Sequence, residues 1–154
     1  MPSSNPMIPQ GTINRLRSSV TYAGNGPAGD VSSLNVTASY LDEAGIAIAL
    51  EGVATEFHPT MVGVVTSPNP YMLATVTINI LKTQNIAALY KAQMELNTLI
   101  GDFTLTPDAA TLPTYTILNG GIETVKEMNF NGKEPGWAIT IKGYYLTNNA
   151  LWNI

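Results

Sequence analysis

Between Met72 and Leu81 the chain alternates strictly. Met72, Ala74, Val76, Ile78 and Ile80 fall on one face, and Leu73, Thr75, Thr77, Asn79 and Leu81 on the other. A period of two with β-branched residues predicts a strand. The period then changes. Ile86, Leu89, Tyr90, Met94 and Leu96 recur at three- and four-residue steps among Ala87, Ala88 and Ala92, which predicts a helix over about residues 84–100. Thr83 or Asn85 is placed to cap its start, and Gly101 to end it in a left-handed turn. Alternation resumes at Phe103–Thr106.

Strand patterns surround this unit. Residues 1–12 carry Pro2, Pro6 and Pro9 and read as an extended arm, with Met7 and Ile8 apolar; residues 13–154 read as one domain. Ile13–Tyr22 predicts a strand. Residues 23–30 hold three glycines and predict a loop. Their Gly24, Gly26, Gly29 spacing matches a dinucleotide fingerprint by letter, but a helix does not follow: Leu34, Val36, Ala38 and Tyr40 alternate as a strand. A turn at Asp42–Gly45 and a strand through Ile46, Ile48 and Leu50 would complete a hairpin. Two short strands, 53–57 and 61–66, meet at a break at His58–Pro59. Beyond the helix come Tyr115–Leu118, a turn or bulge at Asn119–Gly121, and strands Thr124–Phe130 and Trp137–Leu146 flanking Asn131–Gly136. The expectation is a mainly β domain of eight to ten strands with one helix.

Composition sharpens this. Only 12% of the 154 residues are charged while 45% are hydrophobic. So little charge suits a surface covered by copies of the same chain. There is no cysteine, which removes disulfides, thiolate metal sites and cysteine nucleophiles. Seven basic residues are scattered and net charge is −4, which argues against a nucleic-acid groove. No apolar run is long enough to span a membrane, and the N-terminus lacks the pattern of a secretory signal.

No enzyme pattern emerges. His58 is the only histidine and lies before a proline, the context of a structural turn residue. No nucleophile elbow is present. One His without Cys makes a poor zinc or iron site, and no cofactor is expected. Arg15 and Arg17 share a face and could form an anion site, but pairing with carboxylates or water explains them as well.

The segments IPQGTINRLRSSVTY, LNVTASYL, IALEGVATEFHPTMVGVVTSPNPY, TVTINILKTQNIAALYKAQMELNTLIGD and FNGKEPGWAITIKGYYL, in this order, resemble the tail tube proteins of contractile-tailed bacteriophages. The resemblance implies an antiparallel β-sandwich or partial barrel with one flanking helix. It also implies hexameric rings stacked into a tube, whose channel conducts DNA during ejection. The implied partners are further copies, a sheath, baseplate or hub and terminator proteins, and a tape-measure protein in the lumen. DNA would pass without specific binding, and no membrane is involved. Assembly would occur in the host bacterial cytoplasm and end in the virion tail. An acidic lumen repels phosphate, so Glu51, Glu56 and Glu127 are the lumen-facing candidates. Met7 and Ile8 in the arm and Leu151, Trp152 and Ile154 at the other end are the inter-ring candidates. Two alternatives remain: a β-sandwich binding module for a receptor or carbohydrate, and a tube subunit of a related injection system.

Overall fold

The computed structural model describes residues 17–109, 112–126 and 130–152, with Trp152 described by its backbone alone. The arm at 1–12, with Met7 and Ile8, and also Glu127 and Ile154, lie outside the described residues. Eight strands lie among the described residues: β1 (Ser18–Tyr22), β2 (Leu41–Glu51), β3 (Thr55–Pro59), β4 (Val64–Pro68), β5 (Tyr71–Leu81), β6 (Leu99–Pro107), β7 (Tyr115–Val125) and β8 (Gly136–Leu146). Helix α1 (Ile86–Leu96) follows β5, and a single turn, α2 (Asn149–Trp152), follows β8. Six strands form one antiparallel sheet in the order β1-β6-β7-β8-β5-β2, curled into a half-barrel. Strands β3 and β4 form a separate two-stranded hairpin.

The alternation in β5 does what its pattern predicts. Ala74, Val76, Ile78 and Ile80 are fully buried, and they meet Ile139, Ile141 and Trp137 of β8 on the same face. Phe103 and Leu105 of β6, Ile117 of β7 and Val20 of β1 extend this core. Helix α1 closes it from the concave side with Ile86, Ala87 and Tyr90.

One polar link crosses the core. The Tyr90 hydroxyl donates to the Leu34 carbonyl at 2.7 Å, so the Tyr22 hydroxyl, 2.7 Å from it, must donate to Tyr90. Burial raises both phenols above their ordinary pKa, because neither can ionise without losing water. The unfolded chain ionises its tyrosines near pH 10, while the fold holds these two protonated. Their contribution is therefore full below about pH 10 and falls as pH rises past it. We expect alkaline unfolding, followed by circular dichroism, whose pH dependence is reduced in Y22F. Y90F should cost more at neutral pH, about 1–3 kcal/mol, because it leaves the buried Leu34 carbonyl without this donor.

Several local readings are corrected by long-range contacts. The helix stops at Leu96 rather than near residue 100: Asn97 turns extended, and its backbone N–H donates to the Gln93 carbonyl. Asn85 occupies the N-cap position without a side-chain capping bond. Gly101 is no helix terminator. It sits in β6 at φ +83°, where the register with β7 shifts. A Cβ there would lie 2.6 Å from the backbone of Gly26, so the glycine-rich loop packs directly on this bulge.

Residues 31–40 are not a strand but hold two 3-10 turns, Ser32–Leu34 and Ala38–Tyr40. Side chains divert the backbone: Asp30 accepts from the Ser32 N–H, and Asn35 from the Tyr22 N–H. Only Val36 bridges to Val20. Asp42–Gly45 is not the turn of a hairpin but a bulge within β2, between the pairs Leu41–Ile80 and Ile46–Ile78. His58–Pro59 does not break a strand; both lie in β3, and the turn falls at Thr60–Gly63, where the Thr60 N–H donates to the Gly63 carbonyl. Asn119–Gly121 is a bulge inside one long strand, β7.

Candidate assembly surface

Two surfaces remain without a partner in the isolated chain. The first is the β3–β4 hairpin. Its apolar side chains are uncovered: Phe57 in β3 is 66% exposed, and Met61 and Val62 in the turn are 101% and 98% exposed. Val64 and Val65 are exposed as well. An uncovered apolar element of this kind marks an interaction site. Its root is fixed, not loose. The Asn69 N–H donates to the Ala54 carbonyl, and the Asn148 side chain donates to the Ala54 and Asn69 carbonyls. Thr147 Oγ1 adds a 2.6 Å bond to the Asn69 carbonyl.

The second is the outer face of the half-barrel. Cross-strand rows place threonine and alanine across its middle, with Thr140 buried among them, and Tyr71, Leu73, Leu118 and Tyr144 towards one end. Thr21 faces Thr104, which faces Thr116. Thr124 faces Thr140, Thr140 faces Thr77, and Thr77 faces Ala47. Such short β-branched hydroxyl pairs suit a pleated sheet and leave a surface without protruding charge.

One ionic cluster interrupts this plane. Lys142 Nζ lies 3.3 Å from Glu51 and 3.3 Å from Glu123. Thr75 Oγ1 donates to Glu51 at 2.7 Å. The Thr75 bond, and then Lys142, hold the Glu51 carboxyl below its ordinary pKa. Glu123, and then Glu51, hold the Lys142 ammonium above its own. Two carboxylates against one ammonium leave one net negative charge on the cluster. We expect Lys142→Ala to raise the Glu51 pKa only partly, since the Thr75 bond survives; an NMR pH titration of the Glu51 carboxyl checks this.

Of the lumen candidates, Glu51 lies on this face at the end of β2. Glu56 lies on the hairpin, 3.5 Å from His58, so the two glutamates share no interaction site. Glu123, the second carboxylate on Lys142, was not singled out from the sequence. It neighbours Lys142 only through the β7–β8 pairing, and no sequence spacing records that. Leu151 is 66% exposed in α2. Arg17 pairs with Asp108 at 2.6 Å. The Gly24–Gly29 loop is held by Asn25, whose side chain donates to Asp102 and accepts from its N–H. Among the described residues, no three of His, Asp and Glu gather as a metal site, and no helix is long and apolar enough to cross a membrane.

No family model and no curated protein matches this chain.

Proposed function

We propose that this chain is a structural, self-assembling subunit of a tube, of the kind that forms the tail tube of contractile bacteriophages. The observation that carries the reading is the apolar β3–β4 hairpin, which has a fixed root and an uncovered tip. Burying its tip against another copy removes apolar surface from water, at roughly 25 cal/mol per Å². The β2 edge of the sheet supports the same reading, because an edge strand offers unpaired backbone groups to another chain. The sequence resemblance supplies the specific form: hexameric rings stacked inside a sheath, started by a baseplate and ended by a terminator. A tape-measure protein fills the lumen until DNA passes. The low charge density suits burial by copies. The neutral threonine plane with its neutralised Lys142 suits a channel wall that does not retain phosphate. Such a subunit performs no catalytic step. It is assembled in the host bacterial cytoplasm and resides in the virion tail.

Negative-stain electron microscopy and light scattering of the full chain test the proposal. Stacked rings with a central hole are expected, alone or on added baseplate. A monomer that ignores added baseplate would overturn the tube and favour a binding module.

A further inference from the structure

An apolar groove of about 410 Å³ opens between the start of β1 and the bulged edge of β2. Ile46, Ile48, Leu105, Leu112 and Tyr115 line it, and Arg17 and Glu43 also contribute to its wall. The hairpin tip, Thr60–Gly63, carries no charged residue, and at its centre stand Met61 and Val62. Their near-complete exposure means that they touch nothing in their own copy, the groove included. We propose that the β3–β4 tip of one copy seats in this groove of the next copy.

The chemistry of the two surfaces agrees. Met61 and Val62 present flexible and branched apolar side chains, and the groove offers aliphatic walls and one aromatic ring. No charged group has to leave water at the tip, so the contact avoids the desolvation cost that opposes most buried ionic interfaces. Knob and groove are different surfaces of one chain. Their contact is therefore heterologous: each copy offers a tip forward and a groove behind, and the contact repeats without closing on itself in pairs. This rests on the tube reading and adds to it the surface that receives the hairpin.

The absence of cysteine makes the test direct. A full-length M61C/L112C chain is oxidised under assembly conditions and run without reductant. Both positions are exposed, so the fold should tolerate them. The expected result is a ladder of disulfide-linked oligomers that collapses to monomer on reduction. M61C alone can at most give dimers. M61C/T77C, with its second cysteine on the threonine plane, should give no ladder. Light scattering is recorded on each sample. Assembly without the M61C/L112C ladder overturns the groove as the receptor but leaves the tube standing. Absence of any assembly, with or without baseplate, overturns the tube and this contact with it. An intramolecular I8C–L112C bridge would assign the groove to the chain's own N-terminal segment and also overturn the proposal.

Discussion

Replacing Met61 and Val62 together with aspartate is expected to abolish self-association and leave the subunit folded. In the free chain both side chains are fully exposed, and such surface changes usually shift stability by no more than about 0.5 kcal/mol. In an assembly where the tip is covered, the same change places two carboxylates in an apolar contact. An unpaired buried charge costs several kcal/mol. The penalty recurs at every subunit contact, so a polymer held by many such contacts loses all of them at once. Light scattering should fall to the monomer value, while circular dichroism and the melting temperature stay close to those of the parent chain. An unchanged oligomer size would remove the hairpin from the assembly contact.

The second large effect is expected at Gly101. Its φ of +83° strains any other L-residue by about 1–2 kcal/mol. An added Cβ would also lie 2.6 Å from the Gly26 backbone, which forces the loop away from β6. Overpacking of this kind costs about 1–3 kcal/mol. Gly101→Ala should therefore destabilise by about 2–5 kcal/mol, read as a lower denaturant midpoint. Gly52 separates the two causes, since its φ is +88° and nothing lies within 4 Å of its added Cβ. Gly52→Ala should show the backbone strain alone. Equal losses at both positions would mean that the close approach to Gly26 contributes nothing.

Strand β5 could be read from the sequence because one set of its residues faces a continuous core and the other does not. The helix was legible in kind but ran too long. Leu96 and Ile100 continue its spacing, yet Leu96 is 82% exposed and Ile100 belongs to β6. Asn97 decides between them, through a backbone choice that periodicity does not register. The segment at 31–40 alternates like a strand, but the Asp30 side chain takes the Ser32 N–H and the Asn35 side chain takes the Tyr22 N–H, so its backbone turns instead. At Asp42–Gly45 the local chemistry is that of a turn: Asp42 accepts from the Ala44 N–H, and Gly45 has positive φ. That β2 nevertheless continues follows from its pairing with β5, far along the chain. The candidate surface divides in the same way. The hairpin strands were visible, but their exposure was not, since Val and Phe are ordinarily buried. Glu51 could be nominated as an acidic residue on a polar strand face. Its coupling to Lys142 spans 91 positions and exists only in the folded sheet.

Strand β8 lies between β7 and β5 in space but follows both of them, and every other strand of the sheet, along the chain. A nascent chain that ends before Gly136 has no centre for its sheet, and the β5 edge and the β7 edge stay apart. The two halves of the sheet join only once Gly136–Leu146 is in place. The same final stretch supplies Thr147 and Asn148, which tie down the hairpin root. Order along the chain therefore acts as a timer: the exposed hairpin is tied down only after residues 147 and 148 have followed β8 into the fold.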